Sequence, residues 1–181
     1  DSEVYEGLAE AWVRQIEMAV NRGKPSEAAY TAAVRASEKL EAAEPQGVAG
    51  PLKRTLASAM VAALLNSGRS SKWQECLASA DRVLRKQPRN PYASDAAATC
   101  YISKSLEAQE RGEDPAPALR EAQRLLDAAI KIYPHFLWGL IDLGTVHALL
   151  GERLQILGQP EARATLTRGL DSYAAAAALD P

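Results

Sequence analysis

The chain has 181 residues, of which 47% are hydrophobic and 24% charged, with a formal net charge of −2. That length allows one domain with a sizeable core, and the near-neutral balance removes any electrostatic case for a nucleic-acid partner. No apolar run reaches the roughly 18 residues of a membrane span and no signal peptide is visible, so a cytoplasmic location is expected. The abundance of alanine and the single Phe favour helices over strands.

Taken in chain order, the elements alternate between two kinds of stop. A helix over 3–22 ends in the turn NRGKPSE, and a second over 25–43 stops at Glu44-Pro45. A helix over 51–67 leads into NSGRSSK, and its successor over 71–87 stops at Gln87-Pro88. The third pair is 92–111, the turn ERGEDPA and 115–133, closed by Tyr133-Pro134. The fourth is 135–157, the turn ILGQPEA and 160–179, closed by Asp180-Pro181. Glycine suits the left-handed end of one helix, and proline suits the first turn of the next. Asp114 reads as an N-cap, and Ser71 with Gln74 as a capping box. No segment alternates with period two, so no strand is expected.

The stops are periodic. Pro45, Pro88, Pro134 and Pro181 are spaced by 43, 46 and 47 residues; Gly23, Gly68, Gly112 and Gly158 by 45, 44 and 46. Two independent markers with one period of about 45 indicate stacked supersecondary units. Twelve residues before each closing proline stand Ala33, Cys76, Ala122 and Gly169, small enough for two helices to approach closely. Five before it stand Leu40, Val83, Ala129 and Ala176, all apolar. In the first helices Tyr5, Leu8, Ala9 and Trp12 match Leu140, Leu143, Gly144 and His147, with Ser94, Ala97, Ala98 and Tyr101 in the third unit. The second unit matches at Leu56, Ala57 and Met60, with Lys53 in the first slot.

This pattern resembles the tetratricopeptide repeat, whose units close on a Leu-Asp-Pro-like step such as Leu179-Asp180-Pro181. The usual unit has 34 residues, so these are longer, with about two extra turns in the first helix. HEAT-type repeats have a similar length but lack the proline close. The resemblance implies an all-α, right-handed superhelical solenoid of four antiparallel helix pairs. The expected organisation is one domain, 1–181, in repeats of about 1–45, 46–88, 89–134 and 135–181. The last pair is then expected to expose an apolar face. The turn Arg111-Gly112-Glu113-Asp114-Pro115 and the alanine-rich second helices also look like the region after the kinase domain in some bacterial eukaryotic-like serine/threonine protein kinases. The start at Asp1 without a methionine fits a piece of a longer chain.

The chemistry-bearing residues give no enzyme signature. Phosphate loops, GxSxG, SxxK, HExxH and kinase motifs are absent, and neither histidine stands in a metal-ligand spacing. No catalytic residue, cofactor or metal is therefore expected. Cys76 and Cys100 read as packed free thiols. His147 reads as a packed ring with one hydrogen bond, and Arg82, Arg85, Lys86 and Arg89 as a solvated basic helix end. By the resemblance, first helices line a concave, peptide-holding groove. Position then assigns to it Glu3, Glu6 and Glu10; Arg54 and Ser58; Tyr92, Asp95 and Thr99; and Trp138, Ile141 and Thr145. Of these, Glu6, Glu10, Arg54, Tyr92, Asp95, Trp138 and Thr145 form the candidate partner site, with the two aromatics as anchors. The glutamates favour a basic or aromatic-bearing segment over an acidic one. The expected function is a non-catalytic protein-interaction or scaffold module, regulatory within such a kinase, or a self-association surface. A small-ligand sensor or enzyme on a helical scaffold, or a structural spacer, stands as the alternative.

Overall fold

The computed structural model describes residues 2–24, 26–64 and 72–179, and all regular structure among them is α-helical. Eight helices follow in order: α1 (Ser2–Asn21), α2 (Glu27–Ala43), α3 (Ala49–Leu64), α4 (Lys72–Lys86), α5 (Pro91–Glu110), α6 (Ala116–Ile132), α7 (Leu137–Ile156) and α8 (Ala162–Leu179). Where the expected ends lie within the described residues, the helices end within about two residues of them, because the stop signals are local; the ends expected at 25, 67 and 71 lie outside the described residues. Gly23, Gly112 and Gly158 take positive φ values of 65°, 74° and 65°, as helix-ending glycines do. The turn around Gly68 and the capping box at Ser71 lie outside the described residues.

The caps differ in part from expectation. Ser26 Oγ accepts from Ala29 N at 3.1 Å, and Asn90 Oδ1 accepts from Ala93 N at 3.0 Å. Asp114 Oδ1 accepts from Ala116 N at 3.3 Å, but the cap position itself is Pro115.

The packing is that of a solenoid. Each odd-numbered helix packs on the even-numbered one that follows it, and α1, α3, α5 and α7 also touch in succession. The backbones of α2, α4, α6 and α8 do not approach one another among the described residues. The odd-numbered helices therefore form the inner wall and the even-numbered ones the outer wall. Side chains still bridge the outer wall: Tyr30 OH donates to Glu75 Oε2 at 2.9 Å, and Arg82 pairs with Glu41 at 2.8 Å. Desolvation raises the Tyr30 phenol to about 12.

The small-residue positions do what their size suggests. Ala33, Cys76 and Ala122 are fully buried. A Cβ added to Gly169 would stand 3.2 Å from Gly144 O and 3.3 Å from His147 Cβ, so α7 and α8 meet there backbone to backbone. The buried apolar residues fall into three groups. One joins α1, α2 and α3 around Ile16, Tyr30 and Ala57. The largest joins α4 to α7 around Leu119, Leu126 and Val146. Between them lies a small one of Ala59, Cys76, Ala96 and Cys100.

Two expectations are corrected here. Cys76 on α4 and Cys100 on α5 are not free thiols but are joined in a disulfide, their Cα atoms 6.2 Å apart. The small slot of the second unit faces the first helix of the third, which brings two buried cysteines within bonding range. His147 is buried as expected, but its hydrogen-bond contact, to the Arg168 backbone, falls short of well-formed geometry. Its slot is shaped for a ring and lined by Gly169 on the neighbouring helix, with no side-chain partner in place. Burial, with Arg168 adding, holds its imidazole below the ordinary value.

Candidate functional site

The inner wall carries the residues assigned to the groove, and it is not uniform along its length. In the first unit Glu6 is exposed, while Glu10 is half-buried and bonded to Lys53 of α3 and to Arg14, the latter at 3.1 Å. The Lys53 hydrogen bond, with Arg14 adding, holds the Glu10 carboxyl below its ordinary value. Arg54 does not present itself to the groove. Its guanidinium turns towards α2, 3.4 Å from Glu38 and 3.3 Å from Glu41. Thr145 is also engaged, 2.9 Å from the hydroxyl of Tyr173 on α8.

The third and fourth units differ. Asn90 caps α5 and Pro91 opens it, so Tyr92 emerges in the first turn, 48% exposed. Phe136 caps α7 without a side-chain bond and is buried, lying edge-on to Tyr92 at 5.2 Å and stacked on Tyr133 at 6.0 Å. Gly139 leaves space for that ring, since a Cβ there would come within 2.7 Å of Phe136 Cδ1. Trp138, two residues beyond, is 55% exposed.

One turn further along each helix stands an aspartate: Asp95 three residues after Tyr92, and Asp142 four after Trp138. These spacings put each aromatic and its aspartate on one helix face. Asp142 Oδ2 accepts from Thr99 Oγ1 at 2.8 Å across the α5–α7 contact. Asp95 Oδ1 is shut away from solvent with no hydrogen-bond partner. Burial pushes both carboxyls up, the Asp142 charge adds to the rise at Asp95, and the Thr99 hydrogen bond opposes the rise at Asp142. Asp142 is not among the residues that slot position assigns to the groove. Its signal is the Thr99 hydroxyl opposite it, which becomes visible only once α5 and α7 are placed side by side.

No group of three or more His, Cys, Asp or Glu suited to a metal occurs among the described residues. The described surface holds open troughs. One, of about 490 Å³, lies across α1 and α2 between Tyr5, Leu8, Trp12 and Lys39.

Among solved structures, the chain is similar to a thermophilic TPR protein of Thermus thermophilus. The match covers 96% of this chain and 92% of that one, with a TM-score of 0.57 and 20% identity. The fold is tetratricopeptide-like. No family model and no curated protein matches the chain. The tetratricopeptide-like fold accounts for the inner and outer walls. No described helix is long and apolar enough to cross a membrane.

Proposed function

We propose that this chain is a protein-interaction module whose inner wall receives an extended segment of a partner protein, with Tyr92 and Trp138 as anchors. One observation carries this reading: two large aromatics stand about half exposed on adjacent inner helices, and the buried Phe136 packs edge-on against the first of them, Tyr92. Exposed aromatics offer much contact area at little cost in side-chain entropy. The repeats act together as one domain, 1–181.

The test is selection of displayed peptides on the purified protein, followed by affinity measurement on Tyr92→Ala and Trp138→Ala. Selected peptides are expected to lose about tenfold or more on each variant. Peptides that bind all three proteins alike would overturn the reading.

Self-association has support of its own. Leu170 and Tyr173 on α8 are 69% and 39% exposed, on the pair with no further repeat against it among the described residues. Light scattering across concentration, with Leu170→Glu beside wild type, decides whether that surface pairs two copies. A place beside a serine/threonine kinase domain rests on the turn and helix resemblance alone, and the sequence of the full-length gene tests it. The cytoplasmic expectation sits against the Cys76–Cys100 cross-link, since disulfides persist mainly in oxidising compartments.

A further inference from the structure

The two less exposed glutamates on and behind the N-terminal half of the inner wall, Glu10 and Glu41, have cations beside them. Glu10 has Arg14 and Lys53; Glu41 has Arg54 and Arg82. The seam between α5 and α7 breaks that pattern. Two aspartates face it, and among the described residues the one donor that reaches either carboxylate is the Thr99 hydroxyl. That hydroxyl has a single proton, and it also lies 3.1 Å from the Asp95 carbonyl oxygen. Asp95 Oδ1 is left buried and unpartnered, which is rare in folded proteins.

The surroundings suit a cation from outside. The backbones of α5 and α7 approach closely at fewer points than those of α1 and α3 or of α3 and α5. Asp95 and Asp142 each keep some exposed surface. The χ2 torsion of Asp95 is soft, so its carboxylate can reorient at little cost. Tyr92 and Trp138 stand one turn away on the same two helix faces, where their rings can lie against a cationic head or an aliphatic stem.

We infer that the α5–α7 seam is the seat of one arginine side chain from a segment lying in the groove, its guanidinium shared between Asp95 and Asp142. Arginine fits better than lysine. Its planar fork donates to two carboxylates at once, it stacks on aromatic faces, and it leaves water more readily. This inference rests on the groove reading, and it names what that groove selects.

The test is calorimetric titration with two series of acetylated nonapeptides. One has a central arginine; the other has citrulline in its place, which keeps the shape and removes the charge. The arginine series is expected to bind wild type about tenfold or more tightly than the citrulline series. Asp95→Asn and Asp142→Asn are each expected to abolish that preference while citrulline peptides bind as before. Two variants are used so that a folding defect in one does not decide the outcome. Equal binding of the two series, or a preference that survives both substitutions, overturns the arginine seat and leaves the groove standing. No binding of either series to wild type overturns both.

Discussion

At the scale of single residues, the aspartate seam has a stability signature. A carboxyl raised by burial is more willing to hold its proton in the folded chain than in the unfolded one. Its folding is therefore fully supported below the ordinary value of 3.8, and support is lost as pH rises through the folded value. At neutral pH the seam weakens the free protein. Asp95→Asn is expected to raise the thermal midpoint near pH 7, by an increment that shrinks as pH approaches 3.8; calorimetric melts at the two ends of that range check this. A gain in stability together with a loss of arginine preference marks a residue kept for binding rather than for folding. His147 has the opposite sign. Its lowered imidazole is neutral in the fold, so stability is complete above 6.5 and falls as pH drops below it. His147→Leu is expected to flatten that acid limb and to leave stability at pH 8 within about 1 kcal/mol of wild type, since an unsatisfied ring gives way to an apolar side chain. Urea titrations at pH 5 and pH 8 check both halves.

At the scale of elements, close approach is the sensitive quantity. Gly169→Ala puts a methyl against the backbone of α7, and with no free space there the cost is about 1–3 kcal/mol, read from chemical denaturation. Gly112→Ala costs about 1 kcal/mol through its positive φ, although nothing stands in the way of the methyl. Both positions are legible in the sequence, because a turn glycine and a small residue at constant spacing are local marks repeated in every unit. The pairing of helices into inner and outer walls is legible for the same reason. What escapes are contacts between units. Its slot places Arg54 in the groove, yet its long side chain reaches back to Glu38 and Glu41 on α2; slot position sets where a Cα goes and not where a flexible side chain ends. Asp142 escapes because its partners, Asp95 and Thr99, lie more than 40 residues earlier. Cys76 and Cys100 each read correctly as buried, but their union depends on the angle between α4 and α5, which no spacing encodes.

At the scale of the whole molecule, the core among the described residues is three clusters in a row, and the middle one is the smallest. The Cys76–Cys100 link sits in that cluster, closing a sequence separation of 24 residues. The chain-entropy account gives a loop of that size roughly 3.5 kcal/mol of stabilisation. Alkylation under non-reducing conditions, followed by mass measurement, is expected to find no accessible thiol in the unfolded chain. The double variant Cys76→Ala, Cys100→Ala is expected to lose stability of that order, seen as a lower melting temperature. The link also governs how the molecule behaves as a tether. A solenoid pulled from its two ends peels apart unit by unit, because each unit leans only on its neighbours. Here the stretch between the cysteines, a sequence separation of 24, cannot unreel, so the fully stretched chain falls short by about 80 Å until the bond is reduced. A reductant would then lengthen the strand under load, and the same protein would serve as a shorter or a longer leash according to the redox state around it.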